Sequence, residues 1–120
     1  WFARHRLAPP ELYVPPAWAL GDLKGQDLAE SPFAYVETTS GLLHTATGVR
    51  RRLPLVGFEA DTPLRALGLR FWNRCNRGFA SERHPLRIAL HPGDAELHLA
   101  GDLRQTLAPL TRCIDYRTLF

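Results

Sequence analysis

The amino-acid sequence predicts an α/β fold in which strands and helices alternate along the chain. The clearest strand lies in the stretch Leu86–Asp94, read LRIALHPGD, where an aliphatic run ends abruptly at Pro-Gly. Continuous apolar runs of this kind are typical of strands buried on both faces of a parallel sheet. The clearest helix begins at Asp61-Thr62-Pro63, which combines a capping residue with proline in the first turn. Alternation of strands and helices predicts parallel βαβ units with right-handed crossovers.

Extended segments account for much of the first half of the chain. Residues 11–14 are predicted to form a short strand closed by two prolines, and residues 33–39 a second strand rich in β-formers. Residues 41–48 have the composition of a turn. Residues 51–59 are predicted to form a third extended segment, which Pro54 assigns to an edge or irregular strand.

Helical patterns separate these segments. Residues 1–7 resemble the end of a helix, since aromatic bulk precedes basic residues suited to its negative pole. A brief helix is predicted between Gly21 and Ser31. The helix that begins near Asp61 is predicted to run to about Glu82, and another to run from Ala95 to Leu110. Residues 113–120 are predicted to close the chain as a short strand.

The helix that begins near Asp61 has an amphipathic pattern. Its apolar residues lie near one face, and arginines are placed largely around them. Two asparagines within it are poor helix formers and are interpreted as surface positions. The apolar set is Leu64, Leu67, Phe71 and Cys75, and the asparagines are Asn73 and Asn76.

Composition and charge limit the classes of function. The chain has 120 residues, enough for one domain at most, and a formal net charge of +3. Apart from Lys24, all of its 15 basic residues are arginine. They are spread along the chain except at Arg50-Arg51-Arg52, which is interpreted as a solvated basic turn. Nucleic-acid binding favours a concentrated basic stripe with interleaved aromatics, so no nucleic-acid partner is expected.

Targeting signals are not evident in the sequence. No apolar run approaches the roughly 20 residues that span a bilayer, so no membrane span is expected. The lack of a signal-peptide pattern favours a cytoplasmic location. Because the chain begins at Trp1 and contains no methionine, we expect it to be a processed product or a part of a longer protein.

No metal site is predicted within this chain. Its two cysteines, Cys75 and Cys113, lack the close pairing of zinc sites and would form either one disulfide or two free thiols. The five histidines show no HxxxH or HExxH spacing.

Two segments are candidates for chemistry. His91 follows a buried strand, at the carboxyl end where α/β folds keep their functional groups; alternatively it only hydrogen-bonds a loop. Asp94 is predicted to cap the helix that follows. Trp18 follows two prolines in a stiff loop, where it would line a ligand pocket or plug the core.

Five ordered segments resemble a known family. LYVPPAW, PFAYVE, PLVGFEADTP, FWNR and LRIALHPGD are similar to the carboxyl-terminal half of polysaccharide-deacetylase-like proteins, the NodB-like carbohydrate esterases, particularly a bacterial subgroup. The similarity spans essentially the entire chain. It implies that residues 1–120 form a single partial domain, the later portion of a deformed seven-stranded (β/α) barrel, without the amino-terminal metal-binding half.

The resemblance also implies a function and a set of site residues. Family members are metal-dependent hydrolases that remove acetyl groups from N- or O-acetylated glycans, with a divalent metal, often zinc, held by the amino-terminal half. His91 matches the general acid of a late strand, and Leu90 the pocket for the acetyl methyl group. Pro16 and Trp18 fall in a substrate-binding segment where Val14 occupies the position of a family arginine. Lacking the metal site, this chain alone is expected to be inactive, and its parent protein to act on an acetylated carbohydrate.

Two alternatives remain at this point. In the first alternative, the parent protein has the same fold but is not catalytic, and it binds a glycan or a protein. The replacement of the motif arginine by Val14 favours this alternative. Otherwise the chain is a small basic α/β domain that binds anionic partners in a salt-sensitive manner.

Overall fold

The computed structural model describes residues 2–120, which form two compact units. The first unit ends at Arg52 and the second comprises Leu53–Phe120. Both combine short strands with helices, so the predicted mixing of α and β structure is confirmed. Within the described residues the strands form two small sheets, and neither closes into a barrel. That the chain is one partial domain stays a prediction.

The first unit is built on a four-stranded sheet of order β1-β2-β3-β4. β1 and β2 are parallel, and the other neighbours are antiparallel. Its core is formed by Leu28, Val36 and Leu43, against which Tyr13 and Leu20 pack. The elements are β1 (Leu12–Tyr13), α1 (Gly25–Ala29), β2 (Tyr35–Thr38), β3 (Gly41–His44) and β4 (Arg50–Arg52).

Strand β3 corrects the prediction of a turn over residues 41–48. Leu42 and Leu43 are buried and pair with β2 on one side and β4 on the other. The chain reverses at Thr39 and Ser40, just before the strand, and again over residues 45–47, so only the later part of the segment forms the predicted turn. The turn-forming residues of this segment lie at the two ends of the short strand β3. Burial of Leu42 and Leu43 between them favours the extended conformation.

The segment 51–59, predicted to be one extended edge or irregular strand, is divided between two sheets. β4 ends at Arg52, and the next strand begins at Leu55 in the other sheet. Pro54 lies between them and cannot donate to a sheet ladder. Arg50–Arg52 form an edge strand rather than a turn, and all three arginines are exposed. Charged side chains on an edge strand discourage pairing with other chains.

The second unit contains a βαβ unit in which parallel strands β5 and β6 flank a long helix, α2. Parallel pairing was predicted for the whole chain; β5 and β6 confirm it here, whereas the antiparallel pairs β2–β3 and β3–β4 of the first unit show that it is wrong there. The buried residues of its core are Val56, Phe58, Ala60, Ala66, Leu99 and Leu103. The elements are β5 (Leu55–Val56), α2 (Pro63–Phe79), β6 (Arg87–Ile88) and α3 (Ala100–Leu107).

Helix α2 begins as predicted, but the face it buries is not the predicted apolar one. Thr62 is the N-cap, its Oγ1 accepting from the backbone N–H of Arg65 at 3.3 Å, and Pro63 starts the helix. Asn73 is only 4% exposed. The large apolar residues of the opposite face are exposed instead: Leu64, Leu67, Phe71 and Phe79.

Asparagine side chains fasten α2 to β5 and the residue after it. Asn73 accepts from the backbone N–H of Gly57 at 3.1 Å and donates to the carbonyl of Gly57 at 2.8 Å. Asn76 accepts from the N–H of Leu55 at 3.2 Å. Their amides thereby satisfy backbone groups as a neighbouring strand would, which explains why poor helix formers lie in the middle of α2.

The carboxyl-terminal region departs from the prediction in two places. The helix predicted over residues 95–110 is divided into a 3₁₀ turn, Asp94–Glu96, and α3, because Leu97 is extended. Residues 113–120 do not form a strand. They form a 3₁₀ helix, Tyr116–Leu119, capped by Asp115, whose carboxylate accepts from the N–H of Arg117 at 2.9 Å. Local side-chain hydrogen bonds of this kind compete with sheet pairing.

The amino-terminal helix end that was predicted over residues 1–7 is a short 3₁₀ helix, Ala3–His5. Trp1 lies outside the described residues.

Candidate functional site

The candidate site lies where the chain leaves strand β6. Val56 of β5 is aligned with Ile88 of β6, and the pairing continues to a bond from the N–H of Ala89 to the carbonyl of Val56 at 2.9 Å. Beyond this point Pro92 cannot extend the ladder. His91 therefore follows the carboxyl ends of two parallel strands, the edge at which α/β folds place binding and catalytic groups.

Asp94 closes the turn that carries His91. Its backbone N–H donates to the carbonyl of His91 at 3.1 Å, and its Oδ2 accepts from the backbone N–H of His91 at 2.9 Å. The two reciprocal bonds fix the backbone of His91-Pro92-Gly93-Asp94. Asp94 was predicted to cap the following helix, and this is wrong, because its carboxylate turns back toward the strand end.

The same carboxylate faces the imidazole ring. Oδ2 of Asp94 lies 3.7 Å from Nδ1 of His91. Asp94 is 1% exposed, whereas the His91 side chain is 41% exposed. Oδ1 of Asp94 is buried and has no hydrogen-bond partner among residues 2–120. A buried carboxylate with an unsatisfied oxygen is costly, and the imidazole of His91 lies beside its Oδ2 with the rest of the ring exposed to solvent.

The other predicted site residues divide between the two units. Leu90 precedes His91 and is 57% exposed, so its side chain lies at the surface. Pro16 and Trp18 lie in the first unit, in a 3₁₀ turn where Pro16 is exposed and Trp18 half-buried. Ala17 and Trp18 have positive φ angles, 51° and 55°, in a region that costs non-glycine residues energy. The substrate-binding roles of Leu90, Pro16 and Trp18 stay predictions.

Sequence reasoning missed a second group of polar residues, which lines a groove between α2 and α3. The groove encloses about 310 Å³ and is lined by Arg70, Asn73, Arg74, Arg77 and Asp102. Arg70 binds both carboxylate oxygens of Asp102, at 3.2 and 3.1 Å. This hydrogen-bonded pairing and the negative charge of Asp102 raise the pKa of Arg70. The spacing of these arginines along α2 could have indicated that they share one side of the helix. From the sequence they were interpreted only as residues surrounding the apolar face.

Metal ligands do not converge in the described part of the chain, where no three His, Cys, Asp or Glu side chains are grouped to hold an ion. Cys75 and Cys113 are both exposed and not disulfide-bonded. Among residues 2–120 no helix combines the length and the apolar composition needed to cross a bilayer.

Comparisons with known proteins add no relative. No protein-family model, no curated protein and no solved structure matches this chain.

Proposed function

We propose that this chain is the carboxyl-terminal part of a metal-dependent carbohydrate deacetylase, in which His91 is the general acid. The observation that carries the proposal is the pairing of His91 with the buried Asp94 at the carboxyl ends of β5 and β6. The ordered segments that resemble polysaccharide-deacetylase-like proteins supply the reaction class. We also propose that the chain forms part of a (β/α) barrel in the parent protein. The parallel strands β5 and β6, joined by α2, support this part of the proposal.

The proposed role of His91 is to protonate the leaving group. As the tetrahedral intermediate collapses, the bond between the acetyl carbon and the amine nitrogen breaks, and the amine takes a proton from the exposed ring edge of His91. Nδ1 of His91 faces Asp94, so the proton transferred is the one on Nε2. The carboxylate holds the ring in this orientation and stabilises its positive charge until the transfer.

A divalent metal would supply activated water in such a hydrolase. The described residues do not fit a metal: no group of three ligands converges in them. The contribution proposed for this chain is therefore the general acid alone.

Replacement of His91 tests the proposal. In the protein encoded by the complete reading frame, loaded with zinc, we expect His91→Ala to lower kcat for acetate release from N-acetylated chito-oligosaccharides by about 100-fold or more, the usual contribution of a general acid. His98→Ala is the matched control, since His98 is an exposed histidine in the turn before α3 and belongs to no candidate site. Equal rates for the two variants, or no acetate released by the unaltered protein, would contradict the proposal.

A second variant tests the positioning role of Asp94. Asp94→Asn keeps the shape of the side chain and an oxygen that accepts from the N–H of His91, so the turn should stay folded. We expect kcat to fall roughly 10- to 100-fold, as when other carboxylates that position functional histidines are removed. Nitrogen NMR shifts of the ring should show the Nδ1–H form of His91 depleted in the variant. An unchanged tautomer would leave Asp94 a turn residue only.

A further inference from the structure

The groove between α2 and α3 plays no part in the proposed function, yet it concentrates positive charge. Arg70, Arg74 and Arg77 are four and three residues apart on α2, so they share one side of the helix. Asp102 supplies the one carboxylate among the lining residues of the groove. Three guanidinium groups against one carboxylate leave the lining with a net charge of about +2 at neutral pH.

Two of the three guanidinium groups are held in place by α3. Arg70 donates from Nε and Nη2 to the two carboxylate oxygens of Asp102. Arg77 donates to the hydroxyl of Thr106, which itself donates to the backbone carbonyl of Asp102 at 2.7 Å. A guanidinium group has five N–H donors, so both arginines are oriented and still keep donors for a ligand.

Arg74 lies between these two arginines on α2, and its guanidinium group is not bonded to another described residue. It is exposed, and it has no hydrogen bond or ion pair with any residue from 2 to 120. The neighbouring Asn73 does not compensate for its charge, because both ends of that amide are bonded to Gly57. If the arginines served only to fasten α3 to α2, Arg74 would have no role in the groove.

We propose that this groove binds a dianionic oxyanion, a phosphate or sulfate group, between Arg74 and the unused donors of Arg70 and Arg77. Tetrahedral oxyanions accept several hydrogen bonds, and the planar fork of arginine matches their geometry. The two negative charges of the ligand balance the excess charge of the lining. The group is either a free ion or borne by a larger molecule such as a sugar, and the site is independent of any catalytic role of His91.

An NMR titration of the chain with sodium phosphate, at an ionic strength held constant with sodium chloride, tests this proposal. We expect saturable shifts of the Nε–H signals of Arg70, Arg74 and Arg77. Arg74→Gln should weaken phosphate binding about tenfold, the loss expected for one charge-assisted contact. Arg104→Gln removes an exposed arginine of α3 that lies outside the groove, and it should leave the affinity unchanged.

A variant with the opposite effect makes the test specific to the groove. Asp102→Asn removes the negative charge and releases Arg70, so phosphate should bind more tightly than in the unaltered chain. Glucose 6-phosphate serves as a further probe: tighter binding than inorganic phosphate identifies a sugar-borne group, and equal or weaker binding a free ion. Shifts that chloride reproduces, or equal affinities for Arg74→Gln and Arg104→Gln, overturn the proposal. Arg74 holds no other residue in place, so that variant stays interpretable whatever Asp102→Asn does to folding.

Discussion

Asn73→Ala is expected to lower the free energy of unfolding of the second unit by about 2 to 4 kcal/mol, a large fraction of the stability of a small domain. The substitution removes the amide that bonds both backbone groups of Gly57. Each group would be left partly buried without a partner, at a cost of about 1 to 3 kcal/mol. Urea denaturation followed by circular dichroism measures the change, and hydrogen exchange should show that the amide of Gly57 loses protection.

Two matched variants separate the lost hydrogen bonds from other effects of the substitution. Asn73→Leu fills a similar volume with a better helix former, yet it should also destabilise the unit because Gly57 again lacks its partners. Asn76→Ala removes a half-buried amide that accepts from Leu55, and it should cost only about 1 kcal/mol. If Asn73→Leu is as stable as the unaltered chain, the hydrogen bonds of Asn73 contribute little.

Helix α2 shows why its position was predictable from the sequence and its orientation was not. The capping residue Thr62 and the following proline are local signals, and they place the start of the helix correctly. The face that α2 buries depends on which backbone groups of the neighbouring strand require hydrogen-bond partners. β5 is only two residues long, and asparagine side chains meet the N–H of Leu55 and both backbone groups of Gly57. Hydrophobic periodicity carries no information about such a requirement.

The candidate site was likewise predictable in position only. The apolar run before His91, ended by Pro-Gly, correctly indicated a strand of a parallel pair, but the predicted burial on both faces is wrong, because β6 is only two residues long and half-buried. The partner of His91 was missed, because an aspartate after Pro-Gly is typical of a helix cap as well as of a turn that closes on itself. The spacing of three residues between His91 and Asp94 would have suggested the second possibility. The arginine groove needed knowledge of where α3 packs, which the sequence does not contain.

Gly41→Ala is expected to destabilise the first unit by about 3 kcal/mol or more, from overpacking and backbone strain together. A methyl group at this position would lie 1.8 Å from the backbone carbonyl oxygen of Arg51 in β4. The φ angle of Gly41 is 152°, a conformation that other residues rarely adopt. Because the obstacle is backbone in the adjacent strand, relief requires β3 and β4 to separate. The measurement is urea denaturation, with loss of hydrogen-exchange protection at Leu42 and Leu43.

Substitutions at two other glycines distinguish the steric effect of the close approach between β3 and β4 from the effect of a positive φ angle. Gly48 has a φ angle of 70° but open space around it, so Gly48→Ala should cost only about 1 to 2 kcal/mol. Gly68 lies in α2 with nothing near its missing side chain, and Gly68→Ala should stabilise the helix by up to about 1 kcal/mol. Similar losses for Gly41→Ala and Gly48→Ala would mean that β4 does not pack against β3 at this distance. The larger loss expected for Gly41→Ala would instead establish that the arginine-rich edge strand, which the sequence suggested was a turn, is an integral part of the sheet.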